Sequence, residues 1–324
     1  MTTVLITGVG AIMGYGLLRS IRAADPEIIL IGTDIYPEAV GRAWCDFFEQ
    51  APLTSSPNYL EWLLDTTRRH QVDLIVPGIE QDVHRLSDNR DYFSEGRGKL
   101  AINRKELIDL SRDKWHLDRA LLEFAEPARI PSFYGGTFTT LSELLGLPFL
   151  LKPRRSYASK GIVQVHNEHD FSAYEHQLGE HLIAQPIVGS DDNEFTVGVF
   201  GDGQGHICAS ISMQRRLAND GSTAKAWIRH HASLDETVMR LCALFKPLGP
   251  TNLQFRKDQS GWKLLEINPR ISSTSSLRTA FGYNEAAMTV DFYLNGQLPS
   301  QPPIKQGFAV RYIEDYIVYD RNHI

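Results

Sequence analysis

The chain has 324 residues, of which 42% are hydrophobic and 22% are charged. Its 33 lysines and arginines face 39 aspartates and glutamates, so the formal net charge is −6. This balance argues against a protein that binds nucleic acid through a broad basic surface. Apolar residues run throughout the chain, which excludes a disordered protein, and the length predicts two or three domains.

Cysteine usage and the first residues indicate the compartment. The three cysteines, Cys45, Cys208 and Cys242, lie far apart and form neither a disulfide framework nor a metal-ligand spacing. No segment reaches the roughly 18 consecutive apolar residues that span a bilayer. The chain runs directly into an apolar strand at residues 4–6 without a basic leader or a cleavage site. We therefore expect a cytoplasmic protein with reduced thiols and no membrane partner.

The first hundred residues alternate between strand-like and helix-like segments. Apolar runs at 4–6, 28–31, 72–76 and 99–102 are separated by helical patterns that include 17–24 and 58–70. This alternation predicts βαβ units and a parallel sheet.

The pattern changes after a helix predicted at residues 113–124. Short strand-like runs follow at 149–152, 162–166, 181–184, 194–200, 206–213, 252–256 and 262–268. Few long helices separate them, so this part of the chain is predicted to be α+β with mainly antiparallel sheets.

A glycine-rich turn, Gly8 to Gly14, follows the first strand and opens a helix. Such a turn can offer backbone N–H groups to an anion, and Asp34 ends the second strand where a nicotinamide-binding domain would place a ribose-binding acid. The third glycine falls one residue late for the GxGxxG pattern, however. Close packing of the strand on the helix is an equally good interpretation of these glycines.

The segment 262–270 carries the clearest chemical pattern. Side chains alternate in a strand, so Glu266 and Asn268 share one face, while Leu265 and Ile267 are expected to point into a core.

In the preceding strand Gln254 shares a face with Asn252 and Arg256. If the two strands pair, Gln254, Glu266 and Asn268 bring one carboxylate and two amide oxygens together, a set that suits Mg²⁺. An exposed polar face on a half-buried sheet is the competing interpretation.

Two further segments have the composition of a nucleotide site. Lys152 ends an apolar strand, and the small basic loop at 154–161 can fold over a triphosphate, although a solvated hairpin tip is the alternative. Residues 185–188 form an apolar connection that can hold a purine edge, with a carboxylate just beyond it for ribose hydroxyls. An ordinary connection between strands explains the same residues.

The order of these segments resembles that of the ATP-grasp ligases. The likeness rests on Lys-Pro (152–153), the basic loop, Gln-Pro-Ile-Val (185–188), Glu-Phe-Thr-Val (194–197), Asn-Leu-Gln-Phe (252–255) and Glu-Ile-Asn-Pro-Arg (266–270). It covers essentially the whole chain and is closest to the carbamoyl-phosphate synthetase-like branch and the small stand-alone amide ligases.

The resemblance implies a Rossmann-like pre-ATP-grasp domain followed by a two-lobed ATP-grasp domain with mainly antiparallel sheets. The corresponding boundaries are 1–108, 109–188 for the small or lid subdomain, and 189–324 for the subdomain with the metal site. In that family the first domain contributes to the acceptor site and does not use NAD.

Residue by residue, the resemblance implies specific roles. The residues expected at the nucleotide are Lys114 and Lys152 on the phosphates, the closing loop with Ser156, Ser159, Lys160 and Gly161, the adenine-lining Gln185, Pro186, Ile187 and Val188, and Glu194 on the ribose. The expected metal ligands are Gln254, Glu266 and Asn268, and the expected catalytic residues are Arg270, Lys152 and Arg278. Gly198 departs from the family, in which an aspartate is common after Glu-Phe-Thr-Val.

The resemblance implies an ATP-dependent ligase that uses Mg²⁺ or Mn²⁺ and joins a small carboxylic acid to an amine, commonly an amino acid. A homodimer is also expected. A second basic set, Arg215, Arg216, Lys225 and Arg229, either binds substrate or forms a solvated face. An NAD(P)-dependent dehydrogenase and an inactive ATP-binding protein are the alternative functions.

Overall fold

The computed structural model describes residues 1–94, 98–155, 161–219 and 221–319. Within these residues the chain forms three β-sheets that follow one another along the sequence, each packed against helices. No helix in these ranges is both long and apolar enough to cross a membrane.

The first sheet is parallel and has five strands, in the order β3-β2-β1-β4-β5. Its elements are β1 (Thr3–Thr7), α1 (Ile12–Ala24), β2 (Ile29–Asp34), β3 (Phe47–Gln50), α2 (Tyr59–Arg69), β4 (Leu74–Val76), α3 (Glu80–Asp88) and β5 (Lys99–Leu100). All five residues of β1 are buried, as expected of a central parallel strand covered by helices on both faces. The predicted alternation of strands and helices is confirmed, whereas β3 was missed.

The second sheet is small and antiparallel, in the order β7-β6-β8. The elements of this part are α4 (Lys105–Ser111), α5 (Lys114–Glu123), α6 (Phe138–Leu145), β6 (Phe149–Pro153), β7 (Val163–Val165), α7 (Glu168–Ser172) and β8 (Leu182–Pro186). Phe149, Leu151 and Phe171 belong to its apolar core.

The third sheet has six strands in the order β13-β12-β9-β10-β11-β14, all paired antiparallel. Its elements are β9 (Glu194–Asp202), β10 (Ile207–Leu217), β11 (Thr223–Ile228), α8 (Ala232–Phe245), β12 (Leu248–Asp258), β13 (Gly261–Asn268), α9 (Ser275–Ala280), α10 (Glu285–Asn295) and β14 (Phe308–Val310). The mainly antiparallel character predicted for this part of the chain is confirmed. The domain boundaries near residues 108 and 188 stay predictions.

Helix α1 joins the first sheet to the end of the chain. Leu17 and Ile21 share one apolar core with Ala286 and Val290 of α10. At its edge, Oγ of Ser20 accepts a hydrogen bond from Oγ1 of Thr279 at 2.9 Å. The amino-terminal sheet is therefore packed directly against the helices that follow β13.

The glycine turn allows α1 to approach β1 closely. A Cβ atom on Gly14 would lie 2.2 Å from the backbone oxygen of Gly8, far inside van der Waals contact. Gly8 itself has φ +61°, in the left-handed region that glycine adopts without strain. Close packing of the strand on the helix therefore accounts for Gly14, and the left-handed backbone conformation accounts for Gly8.

We expect Gly14→Ala to lower the free energy of unfolding by about 1–3 kcal/mol, because the added methyl group forces the turn away from the helix. Alanine favours a helix over glycine by about 1 kcal/mol, so propensity alone predicts the opposite sign. Gly135→Ala is the matched control, since nothing lies within 4 Å of its Cβ position. Equal urea midpoints for both variants and the parent protein would contradict the close-packing argument.

Candidate active site

The polar residues of β12 and β13 come together as their alternation requires. The two strands pair antiparallel, with Gln254 opposite Glu266 and Asn252 opposite Asn268. Nδ2 of Asn268 donates to Oε1 of Glu266 at 2.9 Å. One carboxylate and three amides are thus adjacent on this pair of strands.

The register also corrects one expectation. A bulge follows Gln254, so that Phe255 pairs with Leu264 and Leu265 is the extra residue. The core positions are consequently Leu264 and Ile267, while Leu265 lines the cleft instead of the core. Strict alternation fails here because a bulge shifts the two faces by one residue.

A cleft of about 360 Å³ lies over this pair of strands, between the second and third sheets. The predicted site residues that line it are Lys114, Lys152, Pro186, Ile187, Val188, Glu194, Gln254, Glu266 and Arg270. Asn268 is buried and does not line the cleft, but it donates a hydrogen bond to Glu266, which does. The structure thus gathers most of the predicted set in one place.

Some predicted residues do not line this cleft. The side chain of Gln185 is buried, and its Nε2 donates to Oγ of Ser132 at 2.7 Å, so it faces away from the expected adenine position. Gly161 lies beside Pro153, while its neighbour Ile162 lines the cleft. Ser156, Ser159 and Lys160, which were also predicted at the nucleotide, lie outside the described residues.

Two half-buried lysines, Lys114 and Lys152, supply positive charge. Burial and the nearby ammonium of Lys114 lower the pKa of Lys152 to about 8, although Glu266 acts in the opposite direction. Burial likewise lowers the pKa of Lys114, against the opposing effect of Glu266 and Glu80. Removing ammonium groups from water disfavours their charged form, and an anion bound between them would reverse that effect.

Glu194 is buried between two arginines. Its Oε1 accepts from Nη2 of Arg215 at 2.8 Å, and its Oε2 accepts from Nη2 of Arg256 at 2.8 Å. The carboxylate is therefore already paired where a ribose was expected. Arg215 also donates to Oε1 of Gln254.

The second basic set divides accordingly. Arg215 lies in the cleft, whereas Arg216, Lys225 and Arg229 are exposed, and Arg216 pairs with Asp192. For these three residues a solvated face is the better interpretation.

Arg270 connects the cleft to the amino-terminal sheet. Its Nη2 donates to Oε2 of Glu80 at 2.6 Å and to Oδ1 of Asn268 at 3.2 Å. Burial would raise the pKa of Glu80, but Arg270, His84 and Lys114 hold it below its usual value. Sequence analysis missed Glu80, although its position just after a parallel strand was a usable signal.

Arg278 does not contact the cleft, contrary to its predicted catalytic role. Its side chain is 0% exposed, and Nη1 pairs with Glu285 at 3.0 Å. Its Nη2 donates to Oδ1 of Asn252 and to Oγ1 of Thr196. A Cβ atom on Gly198 would lie 2.5 Å from Nη1, so glycine is required there to admit the guanidinium.

The glycine turn offers few donors. The N–H of Gly10 donates to Oδ2 of Asp34 at 2.7 Å, and the N–H of Tyr36 donates to Oδ1 at 3.1 Å. The Asp34 carboxylate is thus engaged with the backbone N–H groups of Gly10 and Tyr36 instead of being free for a ribose. The turn borders a second cavity of about 960 Å³ at the carboxyl ends of the parallel strands.

The donor set over β12 and β13 fits a hard divalent cation. Glu266 supplies a carboxylate, and Gln254 and Asn268 supply amide oxygens beside it, although those oxygens also accept from Arg215 and Arg270. Among the described residues no group of three His, Cys, Asp or Glu side chains is placed to hold a metal. A divalent cation at this position would therefore be held by Glu266 and the amide oxygens.

The chain is similar to several known proteins. A family model described as "ATP-grasp in the biosynthetic pathway with Ter operon" matches residues 180–316. The formate-dependent phosphoribosylglycinamide formyltransferase of Synechococcus sp. (strain CC9605) is 28% identical over 49% of this chain and 38% of its own length. The carbamoyl phosphate synthase large chain of Acidobacterium capsulatum is 25% identical over 54% of this chain and 17% of its own length. The matched region thus spans well under half the length of either relative.

Solved structures share the fold over nearly the whole chain. N5-carboxyaminoimidazole synthetase from Staphylococcus aureus, crystallised with ADP, has a TM-score of 0.74 at 17% identity, covering 94% of this chain and 80% of that one. The biotin carboxylase–β-γ-ATP complex from Campylobacter jejuni has a TM-score of 0.72 at 17% identity, covering 95% and 74%.

We expect Arg278→Met to lower the free energy of unfolding by about 3–5 kcal/mol, because it leaves the buried Glu285 carboxylate without its partner. Arg216→Met is the matched control, since its ion pair with Asp192 is exposed and should cost less than about 1 kcal/mol. Denaturant unfolding measures both. Similar small losses for the two variants would show that the buried pair does not support the fold.

Proposed function

We propose that the chain is an ATP-grasp enzyme, an ATP-dependent ligase that joins a carboxylic acid to an amine through an acyl phosphate. ADP and phosphate are the other products. The observation that carries the proposal is the cleft lined by Glu266, by Gln254 opposite it and by the half-buried Lys114 and Lys152. A carboxylate with amide oxygens opposite two lysines suits a metal-bound polyphosphate.

In this proposal Lys114 and Lys152 bind the phosphates of ATP. The apolar residues Pro186 to Val188 line the base, and the ion-paired Glu194 with Arg256 borders the ribose end of the cleft. The carboxylate of Glu194 also accepts hydrogen bonds from Arg215 and Arg256 and keeps both in place. In this proposal its oxygens are therefore shared between the ribose hydroxyls and the two arginines.

Glu266, Gln254 and Asn268 would hold Mg²⁺ or Mn²⁺. Bound there, the metal would neutralise charge on the β- and γ-phosphates and make the γ-phosphorus more electrophilic. The arginines that contact Gln254 and Asn268 fix the direction of those amide oxygens.

The first chemical step is attack of a carboxylate oxygen on the γ-phosphorus, which breaks its bond to ADP. The amine nitrogen then attacks the acyl carbon, phosphate leaves with the C–O bonding pair, and the nitrogen loses a proton. A free carboxylate is a poor electrophile, so the phosphorylation provides the leaving group. Lys152 and Arg270 lie where they would stabilise the negative charge of the transferring group.

The substrates proposed are a small carboxylic acid and an amine, with amino acids as the first compounds to test. A homodimer and a cytoplasmic location stay predictions. A nicotinamide-dependent dehydrogenase is less well supported, because the Asp34 carboxylate accepts two backbone N–H groups. The presence of Lys152, Gln254, Glu266 and Asn268 around one cleft also disfavours an inactive ATP-binding protein.

We expect Glu266→Gln to reduce ADP formation at least about 100-fold, because it removes the only carboxylate among the predicted metal ligands. Glu236→Gln, on the exposed side of α8, makes the same chemical change and should retain activity. The assay is ADP release with pooled acids and amines, checked by mass spectrometry of the products. Turnover by Glu266→Gln close to that of the parent protein would refute the site.

We expect the affinity for Mg-ATP to fall as the pH rises through about 8, because Lys152 then loses its proton in the free enzyme. Lys152→Arg keeps its charge throughout this range, so its affinity should be nearly independent of pH between about 7 and 9.5. Calorimetric titrations at several pH values measure both. The same decline in the arginine variant would assign the titration to another group.

A further inference from the structure

The amide of Asn252 lies in the floor of the cleft, and nothing above assigns it a role. Asn252 is 1% exposed yet lines the cleft. It projects from β12 two residues before Gln254, on the same face of the strand. A buried amide needs partners for both its oxygen and its nitrogen.

Its oxygen is fully occupied. Oδ1 accepts from Oγ1 of Thr196 at 2.6 Å and from Nη2 of Arg278 at 2.5 Å. Both partners are themselves buried, at 0% exposure. Two short hydrogen bonds from fixed donors hold the amide plane in one orientation.

Arg278 also determines which end of the amide is the oxygen. A guanidinium has only N–H donors, so the atom that it contacts must be an acceptor. The other end of the amide is therefore the NH₂ group.

The NH₂ group has no partner within the described part of the chain. No hydrogen bond is found for Nδ2 of Asn252 there, and the atom is not sealed in the core. Both groups that hold Oδ1 are fully buried, so the accessible end of the amide is Nδ2, and the surface that it reaches is the cleft that Asn252 lines. A nitrogen oriented this way, on a residue that is otherwise buried, indicates that a ligand supplies the acceptor.

The position of Asn252 along the cleft indicates which part of a ligand it meets. Arg256, four residues further along β12, pairs with Glu194 near the apolar connection at 186–188. At about 3.3 Å per residue, Asn252 lies about 13 Å from that end. Ser272 and Ser273 line the cleft with it, so this is the end away from the proposed base.

We propose that Asn252 is a catalytic residue that donates Nδ2–H to an anionic oxygen at this end of the cleft, and that Arg278 and Thr196 are its positioning residues. The inference rests on the proposed function. It gives Arg278 an indirect role, since the arginine acts through the amide that it orients and not on the substrate. The anionic oxygen belongs either to the γ-phosphoryl group of ATP or to the carboxylate of the acid substrate.

Asn252→Asp tests the donor with little change in shape. The aspartate keeps an oxygen towards Arg278 and Thr196 but places a second oxygen, with negative charge, where the N–H was. Asn252→Ala removes the donor without adding charge and serves if the aspartate variant does not fold. Asn167→Asp is the matched control, because Asn167 caps the surface helix α7 and aspartate caps a helix equally well.

Calorimetry would use three probes: Mg-ADP, Mg-AMPPNP, which carries a γ-phosphoryl group, and bicarbonate added to the Mg-AMPPNP complex. We expect Asn252→Asp to bind Mg-ADP as the parent protein does, and to lose about tenfold or more in affinity for one of the other probes. A loss for Mg-AMPPNP assigns the donor to the γ-phosphoryl oxygen, and a loss confined to bicarbonate assigns it to the acid. The alanine variant should show the same pattern with a smaller loss.

Folded Asn252→Asp and Asn252→Ala variants that bind all three probes within about twofold of the parent protein would overturn this inference and leave the proposed function standing. A parent protein that binds no Mg-nucleotide would overturn the proposed function, and this inference with it. The control variant should match the parent protein with every probe.

Discussion

The cleft depends on the antiparallel register between β12 and β13. This register places Gln254 opposite Glu266 and Asn252 opposite Asn268, so that four polar side chains meet on adjacent strands. A slip of one residue would turn the same side chains towards the core and bring Leu253 and Ile267 to the cleft. The apolar residues therefore specify the site as firmly as the polar ones do, because only one register buries them.

Three arginines donate hydrogen bonds to the amide side chains of these two strands. Arg278 donates to Asn252, Arg215 to Gln254 and Arg270 to Asn268, each contacting the oxygen of one amide. Their own charges are balanced by buried or half-buried carboxylates, Glu285, Glu194 and Glu80 respectively. Asn252 and Gln254 are thus each oriented by an arginine from another segment, and Asn268 by the arginine two residues after it, so the cleft is preorganised before any ligand enters.

Sequence patterns predicted the local features well and the long-range partners poorly. Alternation along two strands was sufficient to bring Gln254 and Glu266 together, because period-two geometry needs no tertiary information. It failed at Leu265, where a bulge that no residue signals shifted the faces. The burial of Arg278 was not predicted, because its partners, Asn252 and Glu285, are evident only after the strands and helices pack. Strands β3, β11 and β14 were missed as well, and two of them, β3 and β14, lie at sheet edges, where alternating burial is weak.

The shared apolar core of α1 with α10 has a consequence for how such chains diversify. The amino-terminal sheet buries Leu17 and Ile21 partly against residues near position 290, far along the sequence. Recombination that exchanges the first hundred residues between two relatives would combine α1 of one protein with α10 of another. Their side chains would then not be complementary where the two helices pack. Successful chimaeras of this architecture should carry both ends of the chain from one parent and exchange only the segment in the middle.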